Sequence, residues 1–327
     1  MKNSIKKIIS AVFSCVTVCL CAISFVGCGE NKTLIGIMQY GNHQSLNNCY
    51  SGIESGLKEG LEAAGKDFDS YEIVLKNDNF DASVSQANAK NLIARNAAII
   101  GAIATPSAAA AINNAAGAIP VVYCAVTDPS VFAGAENYAG SSDVLDFKAQ
   151  LELIKAFIPG VQKVGVLYTV TEANSLYQIK LLKEEAAKQN VTIIEKGITV
   201  AGDVNMATQY LLSQGADCLT NLTDNTVVGA LDAILTVTDA AKIPVFGSEV
   251  EQVKKGCLAS VSLDYVELGR QTGLLMADIL LGKQTADKQC LTFGSNYKNY
   301  YNGKVAARLN LTLSSSYTAE ITDTERK

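Results

Sequence analysis

From Leu34 onward the chain alternates short, unbroken apolar runs with longer segments whose apolar residues recur every three to four positions. The runs Leu34–Tyr40, Tyr71–Lys76, Ala98–Ala104 and Pro120–Val126 read as strands. A second series follows at Lys163–Tyr168, Val191–Ile198, Asp217–Leu222, Pro244–Gly247 and Cys257–Leu263. After the first strand, Leu46, Tyr50, Ile53, Leu57 and Leu61 share one face of a helix. Continuous apolar strands separated by helices predict an α/β fold with parallel sheets covered on both faces. The alternation comes in two blocks, so two doubly wound parallel-sheet lobes are expected. The break lies near Tyr138–Asp146, where Ala139-Gly140-Ser141-Ser142-Asp143 turns polar before a helix over Asp146–Phe157. A helix over Tyr265–Leu281, stopped by Gly282, comes too late to belong simply to the second lobe. Residues 314–327 read as a polar, mobile tail.

The first residues follow a different pattern. Lys2, Lys6 and Lys7 precede an apolar stretch from Ile8 to Val26, which ends in Phe25-Val26-Gly27-Cys28 and polar Gly29-Glu30-Asn31. This is the layout of a bacterial secretory signal, with a cysteine at the cleavage position as in a lipobox. Residues 1–27 are then removed, Cys28 is acylated, and residues 28–33 form anchor and linker. The alternative is an uncleaved membrane anchor, since the run nearly spans a bilayer. Either way the chain works at the extracytoplasmic face of the cell membrane.

Removing residues 1–27 leaves 300 residues, enough for two domains. It takes three lysines and no acid, so 24 basic face 32 acidic residues, a net charge of −8. An acidic surface without a basic patch argues against nucleic acid. Cys49, Cys124, Cys218, Cys257 and Cys290 are odd in number and lack CxxC spacing; they read as buried free thiols.

Parallel α/β sheets bind ligands beyond the carboxyl ends of their strands. The loops there carry Thr105-Pro106-Ser107-Ala108, Thr127-Asp128-Pro129, Glu172-Ala173-Asn174-Ser175, Thr223-Asp224-Asn225-Thr226 and Gly247-Ser248-Glu249, with Asp264 before the late helix. Thr105 as N-cap and Pro106 as first helical residue would leave N–H groups beside two hydroxyls, a receptor for a carboxylate. Asp224 or Glu249, with Asp128 as a third choice, would hold an ammonium. A zwitterionic amino acid requires both. The same residue types also cap helices without any ligand. Tyr40, Tyr123 and Tyr265 could flank a ligand side chain or equally belong to the core, whereas Tyr168 reads as core. His43, the sole histidine, is either pocket-lining or a polar loop residue. No GxSxG, P-loop, GxGxxG or HExxH occurs, so neither catalysis nor a cofactor is expected. Asn77-Asp78-Asn79-Phe80-Asp81 lacks the turn glycine and distal glutamate of a calcium loop.

The segments IGIMQY, AIATPSAAAA, IPVVYCAVTDP, KVGVLYTVTEANS, LTDNTV, AKIPVFGSEVEQVKKGCLASVSLDYVELGRQTG and KVAARLNLTL together resemble the substrate-binding lipoproteins of ABC importers. The resemblance is to the group tied to tryptophan, tyrosine and phenylalanine uptake, with the type I periplasmic-binding-protein fold. Where that group has a proline and an acidic residue after the histidine, this chain has Gln44-Ser45-Leu46-Asn47. The resemblance implies a three-crossing hinge, with lobe 1 at 34–141 plus 264–288 and lobe 2 at 142–263 plus 289–313. It places Asp264 at the hinge, facing the cleft. It further implies a monomer that passes an amino acid, aromatic in that group, to a membrane permease with a separate ATPase. A surface adhesin or sensory lipoprotein on the same scaffold, or a binder of a sugar or nucleoside, is the alternative.

Overall fold

The computed structural model describes residues 32–293, 297–315 and 317–322; the signal and Cys28 lie outside the described residues. The first block folds as β1 (Thr33–Gln39), α1 (Gln44–Ala63), β2 (Tyr71–Asn77), α2 (Ala82–Ala94), β3 (Ile99–Ile103), α3 (Thr105–Ala115), β4 (Val121–Cys124) and β5 (Tyr138–Ser141). The second runs α4 (Phe147–Phe157), β6 (Lys163–Thr169), α5 (Ala173–Lys188), β7 (Thr192–Ile198), α6 (Val204–Ser213) and β8 (Cys218–Thr220). It continues with α7 (Asn225–Gly229), α8 (Leu231–Ala241), β9 (Val245–Gly247), α9 (Val250–Lys255) and β10 (Ala259–Ser262). Then come α10 (Tyr265–Leu280), β11 (Asp287–Leu291), β12 (Lys298–Asn302), α11 (Gly303–Leu309) and β13 (Glu320–Thr322).

One sheet has the order β11-β5-β4-β3-β1-β2 and the other β13-β12-β10-β9-β8-β6-β7. β10 pairs antiparallel with β12, whereas β1-β3-β4-β5-β11, β7-β6-β8-β9-β10 and β12-β13 pair in parallel. Each sheet is covered on both sides, because successive strand residues face opposite ways. In the first sheet Ile35, Ile37, Val122 and Cys124 face α1 and α10, while Leu34, Met38, Val121 and Tyr123 face α3.

Three features depart from the sequence reading. The polar break contains a strand: β5 pairs with β4 through Tyr138, Ala139 and Gly140. A Cβ on Gly140 would stand 2.1 Å from the Tyr123 carbonyl oxygen, and Ser141 Oγ lies 2.7 Å from Thr272 Oγ1 on α10. Small residues with internal polar partners gave no apolar signal. Second, β11 pairs with β5, so residues 287–291 belong to the first sheet and the chain returns to the second only at β12. Third, the polar tail contributes β13, which aligns Glu320 and Ile321 with Tyr300 and Tyr301. The chain thus passes between the sheets after β5, β10 and β11.

The late helix α10 packs along α1, and glycines allow their backbones to touch. A Cβ on Gly56 would lie 2.0 Å from the Arg270 carbonyl oxygen, and one on Gly269 2.2 Å from that of Cys49. This paired block carries His43 and Leu46 at the start of α1, and Tyr265 at the start of α10, to one cavity.

Candidate functional site

The cavity lies at the carboxyl ends of the strands, where the loops of the two sheets meet. His43, Ala104, Thr105, Ala125, Thr127 and Tyr265 come from the first lobe, and Asn174, Thr223, Asn225, Val228 and Glu249 from the second. Asp143, at the crossing after β5, completes the polar wall. Its free volume is about 20 Å³, room for about one water. The lobes meet around it: Thr127 Oγ1 lies 3.3 Å from Thr223 Oγ1, Gln178 Nε2 donates to both, and Asn48 Nδ2 donates to Glu251 Oε1 at 3.3 Å.

Unpartnered buried polar atoms gather here. Thr105 Oγ1, Asn174 Oδ1 and both ring nitrogens of His43 lack a hydrogen-bond partner, as does Ser45 Oγ beside Glu249. Such atoms are costly unless something completes them. His43 approaches Asn225 without hydrogen-bond geometry, and burial lowers its pKa to about 4, so the imidazole is neutral at pH 7.

Two carboxyl groups face the same space. Burial raises Glu249 to about 7, against the opposing pull of Ser45 and Gln252 beside it. Burial also raises Asp143, although Thr127 Oγ1 at 3.0 Å and Tyr265 OH at 3.1 Å both donate to it. An arriving cation would favour the ionised form of each.

Several predicted residues stand elsewhere because their polar atoms serve the loops. Asp224 accepts from Thr169 N, Thr169 Oγ1, Ser175 Oγ and Val227 N. Burial and neighbouring Glu172 raise its pKa, while these donors pull it down. Glu172 accepts from Asn174 Nδ2 and from the backbone and side chains of Asn225 and Thr226. Asp224, Glu172, Ser175 and Thr226 are thus spent on loop structure. Ser107 Oγ donates to buried Asp78, which Asn88 also holds, and Ser248 Oγ donates to the Leu222 carbonyl. Asp128 caps the turn at Ser130, and exposed Asp264 caps α10 through Val266 N and Glu267 N. Tyr123 points to the opposite sheet face between Phe132 and Tyr138. Tyr40 packs edge-on against Phe80 rather than into the cavity. The sequence reading passed over Asp143 and Val228 as site residues and had Thr223 only as a member of its loop; Asp143 sat in the segment read only as a break.

The helix start at Thr105 also differs from expectation. The N-cap is Ala104, with φ 77° and ψ 154°, and Pro106 is the second helical residue. That backbone region is nearly reserved for glycine and costs about 1–3 kcal/mol. Ala104→Gly is expected to raise unfolding stability by about 1 kcal/mol after the entropic loss of a freer unfolded chain. Urea titration would show a higher midpoint; an unchanged or lower one places no strain there.

Among the described residues no helix is long and apolar enough to cross a membrane, and no cluster of metal-ligating side chains is present. Cys49, Cys124 and Cys218 are buried free thiols, Cys257 is buried and in no disulfide, and Cys290 is a half-buried free thiol.

Comparison with known proteins agrees with this architecture. A "Tyrosine-binding protein" of Clostridioides difficile is 36% identical over 261 residues, covering 77% of this chain and 74% of its own. A domain from Streptococcus pneumoniae solved with L-Trp superposes with a TM-score of 0.82 at 29% identity, over 89% of this chain and 100% of that one. A ligand-free, open substrate-binding protein with adhesive properties from Clostridium difficile has similar identity, 31%, and covers 90% of this chain and 100% of its own. Its TM-score is 0.66. The family model for ABC transporter substrate binding proteins matches residues 34–324, and the chain belongs to that family.

Proposed function

We propose that this protein captures a free amino acid, aromatic in preference, between its lobes at the extracytoplasmic face of the membrane. A lipid on Cys28 holds it there, and a permease with a separate ATPase receives the cargo. The carrying observation is the meeting of unpartnered buried polar atoms with two buried carboxyl groups in one interlobe cavity. Glu249, seconded by Asp143, holds the ammonium. Thr105 Oγ1, at the start of α3, receives the carboxylate in place of the Thr105–Ser107 pair, because Ser107 is engaged by Asp78. The preference for an aromatic ligand draws on the relatives named for tyrosine and solved with L-Trp. A surface-adhesion role is the second reading, favoured by the similarity to the protein with adhesive properties.

Thermal shift against the twenty amino acids, common sugars and nucleosides tests this. A ligand at one hundred times its Kd stabilises by about 2.7 kcal/mol, so an aromatic amino acid should stand out; no response to any amino acid removes the reading. Calorimetry in buffers of different ionisation enthalpy adds a second check. Empty Glu249 titrates at about 7, and the ammonium lowers that value, so binding at pH 7 should release about half a proton. Affinity should then fall as pH drops below 7. Proton uptake on binding would contradict the Glu249 assignment.

A further inference from the structure

The cavity is too narrow for a ring, yet a space of about 290 Å³ opens just outside it. Phe80, Val200, Ala201 and Gly229 give that outer space apolar walls, and Asn225 lines both spaces. What divides them is a pair of rings. His43 lines the inner cavity, Phe80 lines the outer space, and the rings lie parallel, 6° apart in plane with centroids 6.3 Å apart.

Phe80 is held there at a conformational cost. Asn79 and Phe80 have φ of 54° and 59°, consecutive left-handed residues in the turn closed by Asp81 N donating to the Asp78 carbonyl at 3.0 Å. A bulky side chain rarely takes that backbone. Two hydrogen bonds pin it: Phe80 N to the Tyr40 carbonyl at 2.7 Å, and Tyr40 OH to the Phe80 carbonyl at 3.2 Å. The ring lies over Gly41, where a Cβ would stand 2.0 Å from Phe80 Cε1, and reaches toward Gly229 on the facing lobe. Strain of this kind collects at ligand clamps.

We infer that Phe80 is a specificity-determining door, and that a ligand's planar aromatic side chain takes the room between His43 and Phe80 as the Phe80 ring swings into the outer space. This rests on the amino-acid reading and names the residue that sets its side-chain preference. The head group binds in the inner cavity, while aromatic stacking on Phe80 separates aromatic from aliphatic ligands. Small aliphatic side chains leave the door where it stands.

The test is calorimetry with L-Tyr, L-Trp, L-Phe, L-Leu and L-Ala, plus ribose and adenosine, on the parent and on Phe80→Ala and Phe80→Leu. Both variants should bind aromatic ligands about tenfold more weakly and aliphatic ones within about threefold of the parent. Because the chain has no tryptophan, Phe80→Trp adds a sole indole whose emission should change on binding, which reads the door even where Phe80→Ala fails to fold. If the parent binds amino acids but both variants keep its aromatic-to-aliphatic ratio within threefold, Phe80's role is overturned and the amino-acid reading stands. Silent Phe80→Trp emission under saturating aromatic ligand also overturns the door. A parent that binds only ribose or adenosine overturns both.

Discussion

Glu249→Gln is expected to weaken amino-acid binding at pH 8 by roughly thirtyfold to several thousandfold, the effect of leaving a buried charge without its partner, about 2–5 kcal/mol. Glu249 is 4% exposed and faces the cavity, and at pH 8 most of the empty parent carries it ionised. Asp143 stays behind in the variant, which favours the lower end of the range. The pH dependence identifies the cause. At pH 5.5 the empty parent is itself largely protonated at Glu249 and must lose that proton to bind, so parent and variant should converge. Asp224→Asn makes a separate comparison. Its carboxylate already accepts four protein hydrogen bonds, so its loss should lower stability rather than selectively weaken ammonium-bearing ligands. Calorimetry at both pH values decides the matter. Glu249→Gln binding within threefold of the parent at pH 8 would place the ammonium elsewhere.

Gly56→Ala should destabilise the fold strongly, by about 3 kcal/mol. The added carbon would stand 2.0 Å from the Arg270 carbonyl oxygen and 2.9 Å from the Leu274 nitrogen, both backbone atoms of α10. No rotamer change relieves such a contact, so the helices must separate, and overpacking costs about 1–3 kcal/mol even where side chains can yield. The gain in helix propensity, about 1 kcal/mol, does not offset this. Gly65→Ala is a poor control, since Gly65 has φ 70°. Gly60→Ala is a better one, because its added carbon meets mainly the Ala277 methyl, at 2.6 Å. Thermal unfolding should rank Gly56→Ala well below Gly60→Ala, and equal midpoints would show that the two helices have slack.

The strands that sequence made legible were those buried on both faces, where unbroken apolar runs leave one reading. Strand β5 escaped because Ala139, Gly140 and Ser141 serve close approach and an internal hydroxyl pair, neither of which has an apolar signature. The site was legible as a set of loops but not residue by residue. Asp224 and Glu249 look alike in sequence, each an acid at the start of a helix after a strand. Only the four donors around Asp224, and the lack of comparable donors at Glu249, separate a structural cap from a free carboxyl. Asp143 could have been found by asking why an acid sits beside Ser141 and Ser142 between two lobes. Phe80 could have been found by asking why phenylalanine occupies a turn position that calls for glycine.

The side-chain hydrogen bonds described between the lobes include no ion pair: a threonine pair, a glutamine spanning it, and one asparagine donating to the Glu251 carboxylate. Net contributions of about 0.5–1.5 kcal/mol for each neutral bond and about 1.5–3 kcal/mol for the one to the carboxylate oppose the freedom gained when the lobes part. Cargo can enter only while the lobes are apart, so every moment spent shut without it lowers the observed association rate in proportion. Hydroxyl and amide links rather than ion pairs keep that idle fraction nearly independent of salt, which suits a receptor exposed to the changing medium outside a cell.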